Sequence, residues 1–397
     1  MDSQTWMMLS EKFVAHTYAR YPLLLVRGKG TRVWDKEGRE YLDFVSGLAV
    51  CNLGHCHPKV VKAIQDQAEK LIHVSNFYYI EPQIQLASLL CKNSFADQVF
   101  FCNSGAEANE GAMKLARKYA KEKMEGDRYE MITMERSFHG RTFATLTATG
   151  QDKFHKGYSP LMPGFKYVPF NDPDAVRKAI DSKTCAIMME PIQGEGGVIC
   201  PREGYLKALR EICDEKGILL IFDEVQVGMG RTGKLFAYQH EGVEPDMMTL
   251  AKSLAGGVPI GALLIKKEVA ESFKPGDHAS TFGGNPLATA AGVAALTAIL
   301  EEGMLENCRE VGDYFYSKLE GIKKKFLFVQ EVRGKGLILG MELKLEGGTI
   351  VKQMMDKGFL INCTMGNVLR FLPPLIVTEE EVDQMVGALE EIFKEIT

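Results

Sequence analysis

The chain has 397 residues, 46% of them hydrophobic and 25% charged, which is enough to bury a large core and too long for one unit of ordinary domain size. Its formal net charge of -5, with no Lys/Arg run, excludes an electrostatic footprint for nucleic acid or anionic membrane and leaves a small molecule as the expected partner. The opening MDSQTWMMLSEKF lacks a basic-then-apolar leader, no stretch approaches the roughly 20 apolar residues of a membrane span, and nine scattered cysteines form no C-x-x-C pair, so a cytosolic chain with reduced thiols is expected.

In chain order, Thr31 to Phe44 reads as a hairpin turning at Lys36-Glu37-Gly38. From about residue 98 to 265, short aliphatic runs alternate with helix-like segments: QVFFC, MITM, KYVPF, CAIMME, ILLIFDE and ALLIKK. That alternation predicts an α/β fold around a mostly parallel central sheet. Helices are expected over Ala106–Lys121 and Gly204–Gly217, packed on the sheet, with a further long helix over Ala288–Glu302. LILGMEL and VLRFLPP read as strands near the C-terminus. The expected division is a large domain over 47–290 and a smaller α+β domain built from 1–46 and 291–397.

Three segments carry chemistry. Phe101 to Glu110 runs from a strand through Asn103-Ser104-Gly105-Ala106 into a helix, where free amides attract phosphate and Gly105 permits close approach. An ordinary N-cap by Ser104 explains the same residues equally well. Leu219-Leu220-Ile221-Phe222 ends abruptly in Asp223-Glu224, and an acid at the carboxyl end of a strand can face a ligand or simply be solvated. Lys252 stands among small and apolar residues before Gly256-Gly257. Burial there would lower its pKa, as an imine-forming amine requires, although a snorkelling surface lysine is the commoner case. The order of cradle, aspartate and lysine, each at a strand end, favours one site.

Two other motifs compete. Gly228-Met229-Gly230-Arg231-Thr232-Gly233 satisfies G-x-G-x-x-G and would suit a nicotinamide dinucleotide in an oxidoreductase, but KLFAYQ after it does not open as a helix. His55-Cys56-His57 lies between Gly54 and Pro58, which favours a turn, and no metal is expected.

Together with Asp43-Phe44-Val45-Ser46-Gly47, Gly54-His55-Cys56-His57-Pro58, Ser137 to Thr142, Glu190 to Glu195, Thr281 to Pro286 and Leu369 to Pro374, these segments resemble the class III aminotransferases of the fold-type I pyridoxal-phosphate superfamily, nearly end to end. The likeness is strongest to members acting on N-acetylornithine. It rests on the Asn103 to Glu110 run, on Thr281 to Pro286, and on His139 where ornithine-specific members tend to carry Trp. Succinylornithine, ornithine and 4-aminobutyrate remain alternative donors.

The resemblance implies a sheet with helices on both faces and the cofactor pyridoxal 5'-phosphate. Gly105 and Ala106, with Ser104 nearby, would bind its phosphate, and Phe138 would stack on its ring. Asp223 would hold the ring nitrogen, with Glu224, Val225 and Gln226 counted among the cofactor contacts. Lys252 would carry the cofactor as a Schiff base. Thr281 would reach the phosphate of a neighbouring subunit, so a homodimer with interfacial sites is expected. For substrates, Arg141 would take the far carboxylate of the donor with Ser280 beside it, and Tyr18 would line the channel. Arg370 would take the α-carboxylate of glutamate or 2-oxoglutarate, and Glu195 would cover Arg370 when the reacting amine has no adjacent carboxylate.

Overall fold

A computed structural model describes residues 1–396. Its centre is a seven-stranded sheet in the order Gln98–Cys102, Gly261–Ile265, Met247–Leu250, Leu219–Asp223, Thr184–Met189, Glu130–Met134, Phe165–Val168. Only Gly261–Ile265 runs against the rest, pairing antiparallel with both of its neighbours. Successive side chains of a strand point to opposite faces, and both faces of this sheet are covered, which is why its strands are apolar throughout. Leu219 and Ile221 pack with Ala112, Leu115 and Ala116 of helix Gly105–Lys123, while Leu220 and Phe222 pack with Leu209 and Ile212 of helix Tyr205–Lys216.

Met247–Leu250, MMTL, was not among the expected strands, and it is fully buried between Leu219–Asp223 and Gly261–Ile265. Two methionines, a threonine and a leucine give no periodic signal, and tertiary pairing decides the outcome.

The hairpin forms as Arg32–Asp35 against Glu40–Asp43 and gains Leu25–Lys29 on one edge. On its other edge Phe359–Leu360 pairs parallel with Glu40–Asp43, so the two ends of the chain share a sheet. A further four-stranded sheet joins Val329–Lys335, Ile338–Leu343, Val368–Phe371 and Asn362–Thr364, and it carries Arg370 in its third strand. Helix Pro286–Glu301, capped by Asn285, packs on Pro58–Lys70 and Glu81–Lys92. Among the described residues no single helix is long and apolar enough to cross a membrane.

Candidate active site

Loops from the carboxyl ends of parallel strands converge on a cavity of about 450 Å³, the place where open α/β sheets bind ligands. Strand Gln98–Cys102 leads through Ser104 into helix Gly105–Lys123, and Ser104 Oγ accepts from Glu107 N at 3.2 Å, so the N-cap is real. The amides of Gly105 and Ala106, which no helical bond can satisfy, stand at the cavity wall. Glu107 turns back to Asn103 N, 2.5 Å away, and so keeps its charge off that opening. Gly105 is required by proximity, because a Cβ there would lie 2.8 Å from Val225 Cγ1.

Asp223 ends strand Leu219–Asp223 and is held by three donors. Val225 N donates to Oδ1 at 3.0 Å, while Asn109 Nδ2 and His139 Nδ1 donate to Oδ2 at 2.7 and 2.8 Å. Asn109 is itself fixed, donating to His139 O and accepting from Thr249 Oγ1, each at 2.7 Å. Burial opposes the charge on His139, but the bond to Asp223 and the charges of Asp223 and Glu190 outweigh it and hold its pKa above the ordinary value. Its Nε2 is buried without a partner. A buried polar atom left open in this way calls for a ligand, an ion or a water.

Lys252 opens the short turn after strand Met247–Leu250, in left-handed backbone at φ 43°, a strained setting of the kind that clusters at functional sites. Burial, then the nearby Arg370, lower its pKa, against the pull of Glu195, Asp223 and Glu190. Its amine makes no hydrogen bond or ion pair among the described residues. Glu190, just past strand Thr184–Met189, accepts from Phe138 N at 2.9 Å and Gly194 N at 3.3 Å, and burial pushes its pKa up to about 7. Gly194 has no space for a side chain, since a Cβ would lie 1.7 Å from Gln226 Oε1.

Arg370 is fully buried, with Nη1 donating to Glu195 Oε1 at 2.7 Å and to Gln226 Oε1 at 3.3 Å. Its Nε reaches Asn362 Oδ1 at 3.2 Å, and its Nη2 has no partner. Burial resists ionisation of Glu195, but Arg370 and Lys252 outweigh it, so its pKa falls below the ordinary carboxyl value.

The structure thus brings Ser104, Gly105, Ala106, Phe138 and Arg141 together with Glu195, Asp223, Val225, Gln226 and Lys252 in one cavity wall, with Arg370 directly behind Glu195. It does not bring Glu224 there. That carboxylate accepts from Ala237 N at 2.6 Å and Tyr238 N at 2.8 Å, on the other side of the strand end, and burial raises its pKa to about 8. Ser280 touches the rim through Asn103 Nδ2 at 3.1 Å. Thr281 and Tyr18 are exposed and outside the cavity of this single chain, Tyr18 at 74%. Asn109, Glu190 and the bond from His139 to Asp223 were not anticipated. One signal for Asn109 was available: an amide of low helix propensity in the second turn of a helix.

The Gly228–Gly233 segment forms a closed turn, with Gly230 N bonded to Leu235 O, and is followed only by the four-residue turn Ala237–His240. No helix start stands there to receive a pyrophosphate. Instead it delivers Arg231, fully buried, to Leu337 O, Pro373 O and Asn52 Oδ1. His55 and His57 diverge, His55 to Asp43 at 2.7 Å and His57 to Glu302 at 3.1 Å. The Asp43 bond, aided by Cys51, raises the pKa of His55 to about 10.

Sheet and site together define a fold-type I transferase. The aminotransferase class-III family model matches residues 13–393, and the chain belongs to that family of pyridoxal-phosphate-dependent aminotransferases. It is 59% identical over 387 residues to the acetylornithine aminotransferase of Caldanaerobacter subterraneus subsp. tengcongensis, covering 97% of this chain and 98% of that one. Among solved structures, the acetylornithine aminotransferase from Elizabethkingia anophelis matches with TM-score 0.90 and 36% identity over the whole of both chains. The ornithine aminotransferase from Toxoplasma gondii, described with partial occupancy of PLP at its active site, matches with TM-score 0.96 and 35% identity over 100% of this chain and 95% of that one.

Proposed function

We propose that this chain transfers the δ-amino group of N2-acetyl-L-ornithine to 2-oxoglutarate, giving N-acetyl-L-glutamate 5-semialdehyde and L-glutamate, with pyridoxal 5'-phosphate as cofactor. The setting is cytoplasmic arginine biosynthesis. The observation that carries the reading is Arg370: a buried guanidinium covered on one nitrogen by Glu195 and open on the other, beside a lysine of lowered pKa. The choice of donor draws its support from the 59% identical relative and its name. The large and small domains over 47–290 and over 1–46 with 291–397 belong to the same proposal.

The residues present fit the cofactor. Unpaired amides of Gly105 and Ala106 would hold the phosphate, Phe138 and Val225 would flank the ring, Asp223 would meet its nitrogen and Gln226 its phenolic oxygen. About 450 Å³ lies within the usual range for a small-molecule site. When bound, pyridoxal phosphate supplies an electron sink that stabilises negative charge at the donor carbon.

The chain supplies the rest. Lys252 Nζ, its ammonium form disfavoured by burial, takes the proton from Cδ of the donor. Asp223, fixed by Asn109, His139 and Val225 N, keeps one orientation throughout. Arg141 takes the remote carboxylate of the donor, with Ser280 and Tyr18 at the approach. No carboxylate adjoins the δ-amine, so Glu195 neutralises Arg370 in this half of the cycle. For glutamate, Glu195 yields Arg370 to the α-carboxylate.

Arg370→Met is expected to weaken 2-oxoglutarate by roughly 10²- to 10³-fold, the loss typical of truncating one partner of a buried charge pair. N-acetylornithine should lose less than about tenfold. Single half-reactions read by absorbance measure both, and equal losses on the two substrates would remove Arg370 from this role.

A homodimer is part of the proposal, with Thr281 reaching the partner's phosphate; exposed Phe77 at 92%, Tyr79 at 98% and Phe282 at 60% support it. The test is one preparation of holoprotein, sedimented and then titrated with N-acetylornithine, ornithine and 4-aminobutyrate while the visible cofactor band is followed. A dimer whose band is lost at the lowest concentration with N-acetylornithine is the expected result. Preference for another donor would overturn the substrate assignment, and a monomer would overturn the role of Thr281.

A further inference from the structure

The Arg141 guanidinium makes no hydrogen bond or ion pair among the described residues, yet it borders the cavity. What holds it is aromatic: its Cζ lies 4.1 Å from the centroid of Phe154 and 5.5 Å from that of Phe138. The two rings meet edge to face, 5.5 Å apart at 72°. We infer that Phe154 is a specificity-determining positioning residue, whose ring face fixes the plane of Arg141 for donors that carry a carboxylate at the end remote from the reacting amine.

The chemistry follows from the shape of a guanidinium. Its positive face is drawn to the negative face of a ring, while its N–H donors all lie in its plane. Stacking therefore uses none of the donors and leaves the edge free for a bidentate carboxylate. An ion pair with a protein carboxylate would have occupied that edge instead.

The platform is built rather than incidental. Phe154 sits in the short helix Asp152–His155, pinned on both sides. Gln151 Nε2 donates to Ser137 O at 2.9 Å and Arg136 O at 3.2 Å, and His155 Nε2 donates to Leu146 O at 2.9 Å. Ser137 immediately precedes Phe138, so the ring under Arg141 and the ring proposed to flank the cofactor are tied to one backbone segment. Lys153 Nζ lies 4.9 Å from the same Phe154 centroid and adds a second cation to that ring.

This inference rests on the proposed role of Arg141, and the test separates the two. Holoenzyme variants Phe154→Leu, Phe154→Tyr and Arg141→Met are titrated in the first half-reaction with N-acetylornithine and with N-acetyl-1,4-diaminobutane, which has the same amine and amide but no carboxylate. Phe154→Leu should raise the concentration of N-acetylornithine needed for half-conversion roughly 3- to 30-fold, the span of a cation–π contact, and change the carboxylate-free donor less than about twofold. Phe154→Tyr keeps the ring face and should stay within about twofold of the parent for both donors. Pentafluorophenylalanine at 154 keeps the shape and removes the negative face, so it should reproduce the Leu result even if the Leu variant folds poorly. Equal shifts on both donors, or none, in Phe154→Leu and the fluorinated protein overturn the inference. If Arg141→Met discriminates between the donors while those two do not, Arg141 keeps its role and Phe154 loses it; if Arg141→Met does not discriminate either, both fall.

Discussion

Lys252→Ala is expected to lower turnover by on the order of 10⁴-fold or more, since one side chain is asked to serve both as covalent anchor and as the base at the donor carbon. The fold should survive the change. The amine makes no hydrogen bond or ion pair among the described residues and is disfavoured as a cation by burial, so its removal breaks no hydrogen bond or ion pair there. Backbone strain at φ 43° is the same for Ala as for Lys. The expected signature is a protein with unchanged thermal unfolding that holds its cofactor noncovalently and regains part of its rate when small primary amines are added. Turnover near that of the parent would show that another group takes the proton.

Asp223→Asn is expected to reduce the half-reaction rate by roughly 10²- to 10³-fold, comparable to removing a preorganised electrostatic group from an active site. The reason lies in its three donors. Val225 N, Asn109 Nδ2 and His139 Nδ1 all require oxygen at position 223, and an amide offers only one. One donor is therefore left unsatisfied in a buried place, which costs about 1–3 kcal/mol of stability on top of the lost charge. Calorimetry and the half-reaction rate should fall together. A variant within tenfold of the parent rate would mean that the carboxylate is not facing the ring nitrogen.

The positions of Asp223 and of the helix start at Gly105 could be read from the chain alone, because each follows an apolar run at the end of a strand, whereas Lys252 was marked only by its small and apolar neighbours, since the strand before it was not expected. Glu224 shows the limit of that method. It follows Asp223 directly, but neighbouring residues in extended backbone face opposite ways, and Glu224 turns to Ala237 and Tyr238 while Asp223 enters the cavity. The bonds of Asn109 and His139 to Asp223 were missed for a different reason: Asp223 is distant in sequence from both, and nothing in either residue's local pattern names it. Arg370 and Glu195 entered only through family resemblance, since an arginine inside a strand has no local mark of function. Phe154 carried no signal at all, because its role depends on a cation thirteen positions earlier, beyond the helix Phe143–Ala148.

The pairing of Phe359–Leu360 with Glu40–Asp43 has a consequence for how this protein is made. The first strands to leave the ribosome have an open edge until almost the whole chain has been synthesised, and contacts this distant in sequence are slow to close. Arg370 arrives with the same late segment. A nascent chain stalled before residue 359 would therefore lack both the partner of its first sheet and the guanidinium proposed to take the second substrate, and its exposed strand edge would be a site for chaperone capture or aggregation.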